Sequence, residues 1–420
     1  MSALARQGHR AAAPDSLPRA GADSTLALLR EGYRFVSNRC ERLGRDAFRT
    51  RLMLREVACM RGPDAAAAFY HPGRFTRQGA MPRSALTLLQ DRGSVQTLDG
   101  TAHRHRKAAF MAMMDEAALA RAGRLFSEEW QIAADGWSGR AIVLHEAAAD
   151  ILARTALRWC GIDPQAEDVA ARRRELVAMI EGAGSIGPTH LRAQALRQRA
   201  ERWARRLIGD IRAGRRAADP ALPAARLAGH TDTEGARLPE TVAAVELLNL
   251  LRPIVAVGRY IVFAAHALHV HGGPGGAAGA ADRRAFVQEV RRFYPFFPMV
   301  GGRALEPFVW RGHRFSAGAW VLLDLYGTNR HPQAWPEPDA FRPERFADWR
   351  GDAFAMVPQG GGGFEGGHRC PGEWLTIALT GEAVRLLTQE MRYGVPAQDL
   401  TIALDRFPTG PASGFVIAVE

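Results

Sequence analysis

Lysine is almost missing from this chain of 420 residues. The only lysine is Lys107, so the other 54 of the 55 basic residues are arginine. The net charge of +11 raises the question of nucleic-acid binding. The arginines are, however, scattered over most of the chain, which indicates a chain-wide preference for arginine and not a designed basic patch. We expect a generally basic surface and no nucleic-acid partner.

Cysteine is scarce, and long apolar runs are missing from the sequence. The four cysteines form no Cys-x-x-Cys pair, which argues against zinc ribbons and a disulfide framework and fits a reducing compartment. No stretch approaches the roughly 18 continuous apolar residues of a membrane span. The segment from Met1 to Ala20 has no apolar run typical of a signal peptide. We therefore expect a cytoplasmic protein without a membrane span.

Helical periodicity dominates the chain after a loose lead-in over residues 1–23, and it predicts one large domain over residues 24–420. Residue types alternate over the segment 48–60, which also carries β-forming residues and predicts a β-hairpin. Further short strands are predicted between Phe308 and Leu325 and after Tyr393. Residues 182–188 suggest a mobile loop, and residues 271–280 suggest a linker. The fold class is mainly α with a minor β region. Helices are predicted over 24–45, 63–71, 103–135, 141–160, 165–182, 191–214 and 239–271.

A glycine-rich stretch from Pro358 to Glu373 presents one sulfur, that of Cys370, just before a run of helix formers. Glycine lets a backbone approach a flat group closely because it has no Cβ. The first turn of a helix favours a thiolate. One anionic sulfur in such a place suits the iron of a haem. A surface loop with a chance cysteine is the alternative.

Two further motifs decide between these alternatives. Glu289-Val-Arg-Arg292 lies in a helical run, and a proline-rich meander ending in Phe341-Arg-Pro-Glu-Arg-Phe346 follows it. Together with the loop around Cys370, they resemble the cytochrome P-450 superfamily from about residue 24 to the end. The resemblance implies haem b with Cys370 as the proximal ligand, in a haem-centred domain. It also implies a buried network of Glu289, Arg292 and Arg342.

The long central helix, Thr241 to His271, lacks the acid–alcohol pair that monooxygenases of this superfamily use to deliver protons. It carries Arg252-Pro253 in an apolar run instead. Proline kinks a helix, and a buried arginine needs an anion. Glu246 lies six positions earlier on a different face, so the missing anion is predicted to be a substrate carboxylate. An arginine that extends to the surface is the alternative.

The Arg252-Pro253 pair and the sequence around Cys370 resemble the bacterial fatty-acid peroxygenases within this superfamily. The resemblance implies that Arg77, His103 and Lys107 hold the haem propionates. The sequence adds an independent argument, because a chain that otherwise uses arginine keeps its one lysine at Lys107, four residues after His103. A solvated basic helix face is the alternative for these two residues.

The resemblance also places Gln96 over the haem. Members of the family that have histidine at this position tend to decarboxylate fatty acids to terminal alkenes. An amide cannot relay a proton as imidazole can, so Gln96 favours hydroxylation. The predicted activity is hydroxylation of a fatty acid at Cα or Cβ with hydrogen peroxide and without a redox partner protein. The alternatives are a redox-partner-dependent monooxygenase, a decarboxylase and a non-catalytic haem or nucleic-acid-binding protein. The run Gly360–Gly363 has no explanation in the sequence.

Overall fold

The computed structural model describes residues 17–90, 93–274 and 279–420, and helices dominate these ranges. The predicted architecture, mainly helical with a minor sheet region, is confirmed. The α-helices are α1 (Thr25–Glu31), α2 (Phe35–Leu43), α3 (Pro63–Phe69), α4 (Arg83–Leu89), α5 (Gly100–Met111), α6 (Glu116–Ala134), α7 (Leu144–Cys160), α8 (Val169–Glu181), α9 (Pro188–Arg212), α10 (Pro223–Gly229), α11 (Glu240–Ala256), α12 (Gly258–His271), α13 (Ala280–Phe293), α14 (Leu325–Thr328) and α15 (Glu373–Arg385).

The strands form a five-stranded sheet in the order β1-β2-β8-β5-β3, a three-stranded sheet β4-β10-β9 and the hairpin β6-β7. Only the β2–β8 pair is parallel among the described strands. The predicted hairpin over 48–60 is β1 and β2, joined by Met53 and Leu54 in left-handed conformations. The strands are β1 (Ala47–Leu52), β2 (Arg55–Met60), β3 (Phe75–Thr76), β4 (Ala141–Val143), β5 (Met299–Ala304), β6 (Phe308–Trp310), β7 (His313–Phe315), β8 (Trp320–Asp324), β9 (Tyr393–Gly394) and β10 (Val416–Val419).

Several of the predicted helices are interrupted at points that periodicity does not reveal. The segment 24–45 divides at Gly32, where a Cβ would lie 2.0 Å from the carbonyl oxygen of Leu404. The segment 103–135 divides into α5 and α6, and the Asp115 carboxylate caps α6 by accepting a hydrogen bond from the Ala118 N–H at 2.8 Å. The first residues of the segment 141–160 form β4. Local caps and close contacts therefore decide where these helices break.

Three predicted connecting segments have different outcomes. Residues 1–16 of the lead-in lie outside the described residues, and in the remainder Arg19 forms a bridge with Arg49 of β1. Of the predicted linker, residues 275–278 lie outside the described residues. The loop 182–188 contains a 3-10 turn over Gly182–Gly184, and a Cβ on Gly184 would lie 2.2 Å from the carbonyl oxygen of Phe407. The loop is confirmed, and its mobility stays a prediction.

The central helix pair, α11 and α12, contributes to two of the hydrophobic clusters that form the core. It is long and apolar enough to cross a membrane, but most of it is buried inside the fold. The two helices meet at Val257, whose N–H is shared between the carbonyl oxygens of Pro253 at 3.2 Å and Ile254 at 3.1 Å. The hydrogen bond that Pro253 itself cannot donate is the one to the carbonyl oxygen of Asn249, on the N-terminal side of the proline.

The Glu289 carboxylate organises the region between α13 and the proline-rich meander. Arg292 donates to both of its oxygens, from Nε at 2.6 Å and from Nη2 at 2.8 Å, and both residues are fully buried. The prediction that the Arg342 side chain belongs to this network is wrong. Only the Arg342 backbone N–H reaches Glu289, at 2.7 Å, while its side chain pairs with Glu337 at the surface. Arg345 approaches Glu289 instead, at 3.8 Å.

The proline that follows Arg342 explains why the side chain of Arg345, and not that of Arg342, approaches Glu289. A residue before proline is disfavoured in the helical region, and Arg342 is extended with φ −138° and ψ 88°. Its N–H therefore turns inward while its side chain turns outward. The 3-10 turn Pro343–Phe346 then brings Arg345 back toward the carboxylate.

This arrangement predicts very different costs for two alanine substitutions. Glu289→Ala leaves the buried Arg292 unpaired and is expected to lower the free energy of unfolding by about 3–5 kcal/mol. Arg342→Ala removes an exposed ion pair and is expected to change it by about 0–1 kcal/mol. Urea unfolding of the two variants and the wild type measures both values. Equal losses in the two variants would contradict the assignment.

Candidate active site

The loop that ends at Cys370 lies directly before α15. The Cys370 N–H donates to the carbonyl oxygen of Gln359 at 3.1 Å, and the Gln359 Nε2 lies 3.8 Å from the sulfur. Burial raises the pKa of the Cys370 thiol, whereas the Gly372 N–H, Lys107 and Arg291 act in the opposite direction. The groups that oppose the effect of burial are the ones that would stabilise a thiolate ligand.

Four basic side chains converge beside this loop. The rings of His103 and His368 lie 4.0 Å apart, and Lys107 Nζ donates to the carbonyl oxygens of Gly367, at 3.0 Å, and Arg369. Burial lowers the pKa of His368 to about 2, with further contributions from the charges of Arg77, His103 and Lys107. Burial likewise lowers the pKa of His103 to about 4 and of Lys107 to about 8.

The structure thus brings together the three residues predicted to hold propionates. Arg77 lies over the Phe69 ring at 4.4 Å, and its Nη1 donates to the carbonyl oxygen of Gly301 at 2.8 Å. Among the described residues, no carboxylate forms an ion pair with Arg77, His103 or Lys107. Arg77 and Lys107 therefore carry positive charge without a carboxylate partner, whereas the lowered pKa of His103 leaves its ring neutral at pH 7 and able to donate one hydrogen bond.

Arg252, on the central helix, likewise has no anionic partner among the described residues. Its Nη2 donates to Asn249 Oδ1 at 3.1 Å, and its Nη1 lies 3.5 Å from the carbonyl oxygen of Leu88. Burial lowers the pKa of Arg252 to about 9, and nearby Arg197 lowers it further. Glu246 is not its partner, as predicted, because it pairs with Arg106 at 2.7 Å.

Comparison with the other buried arginines shows how unusual Arg252 is. Seven arginines are buried in the described part of the chain, and six of them form an ion pair with a glutamate. Arg252 is the exception within these residues. The paired arginines are Arg39, Arg106, Arg197, Arg259, Arg291 and Arg292.

Pro253 and Gln96, the other two predicted site residues, lie close to Arg252. From Ala243 to Ala267 the helix pair is buried except at Pro253, which is exposed, and Ala256, which is half-buried. Asn249, Arg252, Pro253 and Ala256 have helical spacing that places them on one face. The Gln96 Oε1 accepts a hydrogen bond from Asn249 Nδ2 at 3.3 Å. The three predicted residues therefore surround one open face of α11.

Known proteins resemble this chain over different lengths. The family model for cytochrome P-450 matches residues 284–378. Tabersonine 6,7-epoxidase isoform 1 of Catharanthus roseus is 36% identical over 100 residues, which are 23% of this chain. Trimethyltridecatetraene synthase of Zea mays is 35% identical over 122 residues. The matched segments span only 19% and 21% of the length of these two curated relatives.

Solved structures match almost the whole chain. A variant of cytochrome P450SP alpha (CYP152B1) is 43% identical, with a TM-score of 0.90 over 95% of this chain and 98% of that one. The chain belongs to the cytochrome P-450 family. Cytochrome P450EX alpha (CYP152N1) with myristic acid is 39% identical, and a variant of the cytochrome P-450 OleT with arachidonic acid is 30% identical. Each has a TM-score of 0.90 and covers 96% of this chain, and this chain covers 98% of each.

Haem b, the cofactor implied by membership of the cytochrome P-450 family, fits the residues just described. Cys370 offers one sulfur at the start of α15, and Pro253 and Ala256 leave one face of a buried helix open. The unpaired positive charges of Arg77 and Lys107, with the His103 ring as a neutral hydrogen-bond donor, match the two propionates of haem b. The predicted cofactor is confirmed by the family, and the roles of the individual residues stay predictions.

Sequence reasoning missed two residues of this cytochrome P-450 site. His368 lies two positions before Cys370, and this proximity is a signal that could have drawn attention to it. Asn249 lies three positions before Arg252 on the same helix, and only its contacts with Gln96 and Arg252 reveal a role.

The glycine run before Cys370, unexplained by the sequence, packs around Tyr70. A Cβ on Gly361 would lie 2.6 Å from the carbonyl oxygen of Ala353 and 3.1 Å from the Tyr70 ring. Gly362 has φ +79°, and its Cβ would lie 2.9 Å from the Tyr70 Cβ. Gly363 has no heavy atom within 4 Å of the position of a Cβ. The close approach of Ala353 therefore explains Gly361, that of Tyr70 explains Gly362, and neither explains Gly363.

Two neighbouring alanine substitutions test this explanation. Gly361→Ala is expected to lower the free energy of unfolding by roughly 1–3 kcal/mol because its Cβ overlaps backbone atoms. It should also reduce the haem bound per protein, since the same loop carries Cys370. Gly363→Ala is the matched control and should behave as the wild type. Thermal unfolding and haem absorbance measure the two effects, and an equal response of both variants would contradict the packing argument.

Proposed function

We propose that this protein is a haem-thiolate peroxygenase that hydroxylates fatty acids at Cα or Cβ with hydrogen peroxide. In the balanced reaction R–H and H₂O₂ give R–OH and H₂O. The observation that carries the proposal is Arg252, a buried arginine without a carboxylate partner in the described part of the chain. With a pKa of about 9, its guanidinium stays charged at neutral pH.

A fatty-acid carboxylate supplies the anion that Arg252 lacks. A guanidinium binds a carboxylate through two parallel hydrogen bonds, which fixes the direction of the chain that follows. Cα and Cβ are the first carbons beyond that carboxylate, and Arg252 would hold them beside the open face at Pro253. Two of the similar solved structures hold fatty acids, myristic acid in one and arachidonic acid in the other, which supports this substrate class.

When bound, a thiolate-ligated haem supplies the iron chemistry that activates peroxide and oxidises a C–H bond. In this chain Cys370 would be the sulfur ligand. Arg77, His103 and Lys107 would hold the propionates, with His368 as a fourth contact. These assignments follow from the position of Cys370 and from the unpaired charges beside it.

The substrate carboxylate has a second role, because α11 and α12 lack an acid–alcohol pair. Held by Arg252, it is a base close to where peroxide must react. It can accept a proton from one peroxide oxygen and return it to the oxygen that leaves as water. Such a site needs no reductase or ferredoxin. The sparse, unpaired cysteines further support our inference that the enzyme works in the cytoplasm.

Gln96 favours hydroxylation over decarboxylation. Its amide hydrogen-bonds but does not titrate, so it cannot transfer a proton as histidine can. In the structure its oxygen is occupied by Asn249. The decarboxylase alternative predicts terminal alkenes, and the monooxygenase alternative predicts dependence on NAD(P)H and electron-transfer proteins.

Incubation of the purified holoenzyme with a series of fatty acids and hydrogen peroxide tests the proposal. We expect 2-hydroxy or 3-hydroxy acids in the absence of any reductase, identified by gas chromatography with mass spectrometry. The Cys370→Ala variant should form none of them. Activity only with NAD(P)H and redox proteins would refute the peroxygenase, and terminal alkenes as the main product would favour the decarboxylase.

Substitution of Arg252 tests the anchor separately. Arg252→Ala removes one partner of a buried charge pair, a loss of about 2–5 kcal/mol in binding. The Kd for a fatty acid should therefore rise at least about 30-fold, while haem binding is retained. Arg259→Ala is the control, since Arg259 is also a buried arginine but has its own partner in Glu181. Titration calorimetry measures the Kd values. An unchanged Kd in Arg252→Ala would contradict the anchoring role.

A further inference from the structure

Glu246 lies six residues before Arg252 in α11, is fully buried and accepts three hydrogen bonds. Its Oε1 accepts from Arg106 Nη1 at 2.7 Å and from the Val95 N–H at 2.8 Å. Its Oε2 accepts from Asn249 Nδ2 at 3.0 Å. One carboxylate thus connects α5, the 3-10 turn Val95–Thr97 and α11.

These contacts determine how Asn249 is oriented. Its Nδ2 donates one hydrogen to Glu246 and the other to Gln96 Oε1, at 3.3 Å. Its Oδ1 is then directed to Arg252 Nη2, at 3.1 Å. The same interaction fixes the Gln96 amide, because its oxygen faces Asn249 and its nitrogen is left as the donor toward a substrate.

We propose that Glu246 is a positioning residue that sets the orientation of both Gln96 and Arg252. It acts on Arg252 through Asn249, and on Gln96 both through Asn249 and through the N–H of the preceding residue, Val95. This inference rests on the proposed function, in which Gln96 and Arg252 face the fatty acid. Glu246 itself contacts neither the reacting carbons nor peroxide.

The chemistry of the site explains why a carboxylate is required at this position. A carboxylate accepts hydrogen bonds at both oxygens, and all three groups that face Glu246 are donors. Glutamine has nearly the same shape but only one acceptor. If its oxygen faced Arg106 and Val95, its NH₂ group would oppose the NH₂ group of Asn249. If it turned round, its NH₂ group would oppose Arg106 and the Val95 N–H.

A purely stabilising role does not account for this arrangement. Burial raises the pKa of Glu246, whereas Asn249, Arg106 and Val95 oppose this shift. The desolvation penalty of a buried ion pair often offsets its attraction, so such pairs contribute little net stability. What the Glu246 network provides is a unique orientation for two amides and one guanidinium.

The Glu246→Gln variant of the holoenzyme tests the proposal against Glu175→Gln. Glu175 is an equally buried glutamate on α8 that pairs with Arg172 at 3.1 Å and belongs to no part of the site. For Glu246→Gln we expect at least a tenfold rise in the Kd for a fatty acid, measured by titration calorimetry, and an altered ratio of 2-hydroxy to 3-hydroxy product. Glu175→Gln should retain the wild-type Kd and product ratio.

A second variant, Asn249→Asp, probes the same geometry without a change at Glu246. Its carboxylate would give Arg252 an internal anion, so the Kd for the fatty acid should again rise at least tenfold. If both variants keep the wild-type Kd and product ratio, the proposal is overturned. An equal change in Glu175→Gln would also overturn it, because a general loss of stability would then explain the data.

Crystal structures of the wild type and of Glu246→Gln separate this inference from the proposed function. We expect the variant to lose the Gln96–Asn249 contact, the Asn249–Arg252 contact or both, and retention of both would overturn the inference. This result does not depend on turnover. A wild-type enzyme that fails with peroxide would refute the peroxygenase, while the crystal structures would still decide the role of Glu246.

Discussion

Positive charge that is buried without an internal anion is the constraint on which this site depends. Removal of a charged group from water is unfavourable unless an opposite charge lies close to it. The fold meets this requirement for six of its seven buried arginines in the described residues, each with a glutamate. Arg252 and the basic cluster beside Cys370 do not follow this rule. In the function that we propose, their partners come from outside the chain, as a substrate carboxylate and as haem propionates.

The two unpaired groups are held by different parts of the fold. Lys107 and His103 lie on α5, against the glycine-rich loop that wraps Tyr70 and ends at Cys370. Arg252 lies on α11 next to Pro253, and α12 begins at Gly258. Glu246 and Asn249 connect α11 to the turn that carries Gln96. Orientation at the site therefore depends on hydrogen bonds between elements distant in sequence.

Sequence reasoning succeeded where chemistry is local and failed where it depends on the path of the backbone. The Arg252-Pro253 pair is conspicuous because both residues are unfavourable in an apolar helix. The hairpin over 48–60 and the helix-rich architecture follow from residue patterns of short period. The resemblance to the superfamily implied a place for Arg342 in the buried network, but Pro343 turns its side chain outward and brings Arg345 inward. Hydrophobic periodicity did not predict the helix breaks, because caps and close contacts determine them.

The sequence by itself determined the Arg252-Pro253 pair in an apolar helix and the absence of a proton-relay pair, and it predicted Cys370 as the haem ligand, because each depends on residue identity and local spacing. The tertiary structure decided which charges are compensated. Only the fold shows that Glu246 pairs with Arg106, that His368 joins the basic cluster, and that Asn249 links Gln96 to Arg252. The contacts Arg106–Glu246 and Gln96–Asn249 join residues 140 and 153 positions apart, and a linear pattern does not encode them.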